Sequence, residues 1–147
     1  MTYAHTQKAP LCLLLYGIAF ANIVLACAIG GDPVGIYICG GVALFLTLLA
    51  PAFHHLTVID LGDELTIRFG PVPLFRRTVR YADIEKAEIG RTLILDGWGI
   101  HASIRGGMVW NLWGRDCVVV YLKRGVLRIG TDDAENLASF LTQRISA

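Results

Sequence analysis

Two stretches without a charged residue, four positions apart, limit what this 147-residue chain can fold into more than any other feature. They cover 9–29 and 34–53, so they hold 21 and 20 residues. At 1.5 Å per residue the first makes a helix about 31 Å long, close to the roughly 30 Å hydrocarbon core of a bilayer. Gly30-Gly31-Asp32-Pro33 lies between them, a turn former at each position. So short a gap allows only a tight hairpin, and in lipid a helix satisfies its own backbone. The expectation is a two-helix transmembrane hairpin over 1–55, with spans at about 9–29 and 34–53. Gly17, Ala21, Ala28, Gly35, Gly40, Gly41 and Ala43 suit close helix contact. Pro51 is expected to end or kink the second helix.

The charges divide along the same line. Of 13 Lys and Arg and 12 Asp and Glu, only Lys8 and Asp32 precede Asp60. A nearly charge-free half joined to one of ordinary composition excludes a uniform soluble domain, a disordered chain and a basic nucleic-acid arm. The net charge of +1 gives no bias toward nucleic acid, and no nucleic-acid partner is expected. Ala26-Cys27-Ala28 has the form of a signal-peptide cleavage site, and Val24-Leu25-Ala26-Cys27 vaguely that of a lipoprotein box. Against both, only Lys8 precedes the run, which exceeds the roughly 7–15 apolar residues of a signal peptide. A buried hairpin in a soluble core would need more cover than this chain has. The loop at Asp32 holds no Lys or Arg, whereas Lys8 precedes the spans and Arg68, Arg76, Arg77 and Arg80 follow them. By the positive-inside rule both termini are cytoplasmic in a multi-pass protein of the cell (inner or plasma) membrane. Cys12, Cys27, Cys39 and Cys117 lack zinc-type spacing and are expected to serve as small packed hydrophobes.

From Leu56 the hydrophobic period changes to two. Leu65, Ile67 and Phe69 alternate with Glu64, Thr66 and Arg68, the pattern of a half-buried strand. Short strand-like segments follow at 76–81, 84–89, 93–95, 100–104, 108–113, 117–122 and 126–129, with 56–60 before them. Merging neighbours gives about seven strands. A helix over about 132–145 has one apolar face through Ala134, Leu137, Ala138, Leu141 and Ile145. Asp132 and Glu135 fit a capping box at its start, and Thr131 could also cap it. The expected unit at 56–147 is a small β-barrel plugged by one C-terminal α-helix.

The motifs are Leu65-Thr66-Ile67-Arg68-Phe69-Gly70-Pro71, Tyr81-Ala82-Asp83-Ile84, Gly97-Trp98-Gly99-Ile100 and Ile129-Gly130-Thr131-Asp132-Asp133. In that order they resemble a bacterial pleckstrin-homology-like (PH) domain, over 56 to about 145, behind the hairpin typical of the family's membrane members. The resemblance implies a PH-like barrel and a non-enzymatic, membrane-tethered binding or scaffolding module. Phosphoinositide-binding relatives use a basic loop between the first two strands. Here that loop is Leu61-Gly62-Asp63-Glu64, which is acidic.

Catalytic chemistry finds no coherent constellation. His54-His55 has no third metal ligand at fitting spacing. His101 and Ser103 share a strand face, with no acid placed by sequence to orient the imidazole. Asp63-Glu64 and Asp132-Asp133 sit where turns and helix starts favour acids. Gly97-Trp98-Gly99 does not lead from a strand into a helix, so it is no phosphate cradle. No enzyme activity, metal or cofactor is expected. Arg76 and Arg80 share one strand face with Arg77 opposite, and each basic group near an anionic leaflet contributes about 1 kcal/mol. Trp110 and Trp113 fall on opposite faces, one filling the barrel and the other free for the helix, the membrane or a partner. These five are the expected contacts with anionic lipid headgroups or a partner. The leading expectation is a membrane-anchored module binding a protein segment, from another protein or a second copy. Anionic-lipid sensing through the basic strand is the alternative, and an enzyme the remote one.

Overall fold

The computed structural model describes residues 2–72 and 74–146. The chain opens on a strand that its sequence does not announce, β1 (Ala4–Lys8), ahead of helices α1 (Leu11–Ile29) and α2 (Pro33–Leu49). Asp32 starts α2. Its carboxylate accepts the backbone N–H groups of Val34 at 3.2 Å and Gly35 at 3.1 Å, with Pro33 in the first turn where no donor is needed. A 3-10 turn, Ala50–Phe53, continues the helix and contains Pro51. Both helical segments are long and apolar enough to cross a membrane. Their buried positions are Leu11, Cys12, Ala19, Cys39, Ala43, Ala50 and Ala52. A Cβ added at Gly17, Gly40 or Gly41 would meet open space, so these glycines, unlike Ala43, lie outside the close contact.

Strands β2 (His55–Asp60), β3 (Glu64–Phe69) and β4 (Arg76–Arg80) join β1 in an antiparallel sheet of order β1-β2-β3-β4. The range 1–55, read as hairpin, thus contributes one strand to the sheet. The turn Tyr81–Asp83 then redirects the chain into a second sheet. It holds β5 (Ile84–Arg91), β6 (Gly99–Ala102), β7 (Met108–Asn111), β8 (Asp116–Leu122) and β9 (Gly125–Gly130), in the order β5-β8-β9-β7-β6. All its pairs are antiparallel except β7 with β9. Helix α3 (Ala134–Ile145) ends the described chain.

The expected closed barrel of about seven strands is therefore corrected: the described residues form nine strands in two sheets. β4 and β5 follow one another but belong to different sheets, so the cylinder stays open. The strand expected at 93–95 is also corrected. Asp96 accepts the Leu93 N–H at 3.0 Å and winds Ile94–Asp96 into a 3-10 turn. The helix start differs too, because both aspartates turn toward β1. His5 Nε2 lies 2.6 Å from Asp132, and Tyr3 Oη donates to Asp133 at 3.0 Å. Asp133 occupies the cap position without a side-chain cap, while Thr131 Oγ1 accepts its N–H.

The core lies between the sheets and under α3. Leu56, Val58, Leu65, Ile67 and Phe69 meet Val118, Val120, Leu127, Ile129, Leu137 and Leu141 there, all buried. The hairpin is packed onto one end of this core. The Phe53 ring lies 5.3 Å from Phe69 and 5.7 Å from Phe75. Gly70, at φ +62°, donates to the His55 carbonyl at 2.6 Å. A Cβ there would come within 2.5 Å of the Ala52 carbonyl oxygen, so only glycine lets the two backbones approach so closely.

Candidate functional site

The three arginines lie on an edge strand, where charge discourages pairing with another chain. The register sets Arg76 opposite Arg68, Arg77 opposite Ile67 and Arg80 opposite Glu64. Arg76 and Arg80 are thus on the outer face with Arg68, while Arg77, half-buried, is on the face of Ile67. None of the three forms an ion pair among the described residues. The two outer arginines serve different ends of the strand. Arg80 lines a hollow of about 570 Å³ with Gly62, Asp63, Glu64, Tyr81 and Arg144. Arg76 lies at the hairpin end, in one row with Thr6, Thr57 and Arg68. Lys8 pairs with His55 in the next row. Lys8 and Arg68 were not among the expected contacts, since their meeting depends on pairing across the hairpin.

His54 and His55 come together where the second helical segment meets β2. The 3-10 turn ends at His54, which turns its ring edge-on to His55 with the Nδ1 atoms 3.2 Å apart. Burial, His54, Arg68 and Lys8, in that order, push the His55 imidazole below its ordinary value. No cluster of three or more His, Cys, Asp or Glu suited to a metal occurs among the described residues.

Trp110 and Trp113 do not share a strand, contrary to expectation: β7 ends at Asn111, and Trp113 lies in the turn that follows. Trp110 is buried, 5.8 Å from the Phe69 ring. Trp113 stacks on Trp98 with ring centroids 4.1 Å apart and planes 19° apart. Beside them Leu93, Ile94, Gly97, Gly114 and Arg115 line a cavity of about 310 Å³ with Trp98. Ile94 is 77% exposed and Trp98 44%. The signal for Trp98 was the pair of glycines around a tryptophan, which permits a turn that holds the indole outside.

Asp96 supplies the acid that sequence did not place beside His101 and Ser103. Burial raises its pKa, but the Leu93 N–H, the Ser103 hydroxyl and the His101 ring outweigh it and hold the carboxyl below its ordinary range. Ser103 is buried and its hydroxyl accepts the Arg105 N–H at 3.2 Å, so the group closes turns. A second buried cluster ties α3 to the first sheet. Asp60 accepts from Tyr81 Oη at 2.8 Å and from the Gly62 N–H at 2.9 Å, and Arg144 lies 3.7 Å away. Burial, then the Asp60 hydrogen bond, pushes the Tyr81 phenol well above its ordinary value. Cys12, Cys39 and Cys117 are buried and Cys27 exposed, all as free thiols, and burial pushes Cys117 up to about 11. The chain matches no protein-family model and no curated protein.

Proposed function

We propose that this chain is a membrane-anchored, non-catalytic interaction module whose β-rich part binds a protein segment at the Trp98–Trp113 surface. The observation that carries the anchoring is the exposure of the hairpin. Leu13, Phe20, Tyr37, Phe45 and Leu48 all stand outside the protein core. Burying one such side chain is worth about 1.5–3 kcal/mol, and lipid is the surrounding that provides it for both helices at once. Pairing of β1 with β2 supports an even topology, because it holds both ends of the hairpin on one side. Lys8 at those ends and Asp32 in the loop favour the cytoplasmic side for the sheets. The resemblance to PH-like domains supports binding rather than catalysis.

For the ligand, a stacked indole pair with an exposed isoleucine over a hollow is the kind of surface that anchors a partner. The segment belongs to another protein or to a second copy of this chain. Anionic lipid is the second reading, favoured by the unpaired Arg68–Arg76 row at the hairpin end.

Alkaline carbonate washing of membranes is expected to leave the full chain in the pellet, and its release would end the anchoring reading. A photo-crosslinker at Trp98, in intact membranes, is expected to give a discrete protein adduct. Ile94→Asp is expected to reduce that adduct about tenfold, the equivalent of one lost anchor of about 1.4 kcal/mol. Adducts to lipid alone would overturn the protein-segment reading in favour of the lipid one.

A further inference from the structure

We infer that the β3–β4 loop is a second membrane-insertion point, with Val72 and Leu74 entering the bilayer beside the hairpin and Lys8, Arg68 and Arg76 meeting anionic headgroups around them. The inference rests on the membrane-anchored reading and adds a seat for the sheets. Its basis is position. Gly70, where the loop leaves β3, lies against the carbonyls of Pro51 and Ala52 in the last turn of the second helical segment. Phe75, where the loop returns, packs on Phe53 of the same turn. The loop's ends are joined by the Phe69 N–H donating to Phe75 O at 3.0 Å, and the Leu74 N–H donates to Val72 O at 2.8 Å. It is thus pinned at the level where the second span leaves the apolar layer.

Its chemistry suits that level. Val72 is 46% exposed and Leu74 59%, while the flanking Phe69 and Phe75 pack inward. The adjoining outer face of the first sheet presents Lys8, His55, Arg68 and Arg76, with Glu64 as its one carboxylate among the described residues, opposite Arg80. Arg80 lies four residues further along β4, about 13 Å from Arg76 and beyond a Debye length of about 8 Å. Charge around an apolar tip, continuous with the exposed hairpin, matches a leaflet with apolar tails below and phosphates above. A soluble anion would satisfy the arginines and leave the two apolar side chains in water.

The test uses the full chain in vesicles of phosphatidylcholine and phosphatidylglycerol carrying a lipid-borne nitroxide quencher. An environment-sensitive fluorescent amino acid replaces Val72, Leu74, Phe45 or Arg124 in turn, all exposed positions at which a larger side chain leaves the core intact. The probes at 72, 74 and 45 are expected to lose most of their emission and the probe at 124 to keep it. If 45 is quenched while 72 and 74 behave like 124, the anchoring stands and the inserted loop is overturned. If 45 is not quenched, the anchoring falls and the loop with it. Arg68→Gln with Arg76→Gln is expected to reduce quenching at 72 in these vesicles, and Arg80→Gln to leave it unchanged. Equal quenching with and without the two arginines would overturn the headgroup contact.

Discussion

Truncating Phe69 to alanine is expected to cost about 3–5 kcal/mol of folding stability, the usual range for deleting a fully buried ring. Phe69 has no exposed surface, and its ring lies between Phe53 of the hairpin end and Trp110 of the second sheet. No single neighbour can fill the space, because each is fixed by a different element. Chemical unfolding of the detergent-solubilised chain checks this, with Leu61→Ala, in an exposed turn, expected to change stability by less than about 0.5 kcal/mol. A loss for Phe69→Ala below about 1 kcal/mol would show that the three elements do not share a core there.

The second large effect concerns Asp60. Its carboxylate is buried, and three groups converge on it: the Tyr81 hydroxyl, the Gly62 N–H and the Arg144 guanidinium. Asp60→Ala leaves the Tyr81 hydroxyl and the Gly62 N–H without their acceptor, and deprives Arg144, which donates to the Gly62 carbonyl at 2.8 Å, of its counter-charge, at an expected cost of about 2–4 kcal/mol. Asp60→Asn keeps a carbonyl oxygen for Tyr81 and Gly62 and is expected to cost less. The pH dependence follows from Tyr81. Its phenol is raised above 10.0 in the folded chain, so the folded state holds the proton more tightly than the unfolded one. That stability is present below pH 10 and is lost as pH climbs through the folded value. In Asp60→Ala the phenol is expected to titrate closer to 10, although burial alone keeps it raised, and ultraviolet titration would read the shift. An unchanged phenol titration would mean that Asp60 does not hold the Tyr81 proton.

The hairpin was legible because its signal is an absence of charge over a fixed length, which needs no knowledge of partners. Strands β2 to β9 were legible from alternation and turn residues. The sheets' arrangement was not, because it depends on pairings between segments far apart in the chain. β1 shows the limit well. Ala4-His5-Thr6-Gln7-Lys8 has no apolar alternation, and its partner strand begins at His55, on the other side of both helices. Closure failed as an expectation for a local reason, since the turn at Tyr81–Asp83 separates two strands that a barrel would pair. The parallel pairing of β7 with β9 also left no local trace. Among the contact residues, the strand alternation expected to separate Trp110 from Trp113 does not apply, because β7 ends at Asn111 and Trp113 is in the turn beyond it. The partnership of Trp98 with Trp113, and the row of Arg68 with Arg76, needed the folded register.

The pairing of β1 with β2 also sets an order of events during synthesis. β1 leaves the ribosome before both helices and has no partner until they and His55–Asp60 have followed. In the proposed membrane setting, a chain that inserted only one of its two helices would strand β1 on the far side from β2. The outer edge of β2 would then stay open, and Tyr3 and His5 could not reach Asp133 and Asp132. In that setting only a chain whose hairpin has turned back completes its first layer, and one with a single inserted helix leaves the β2 edge unpaired.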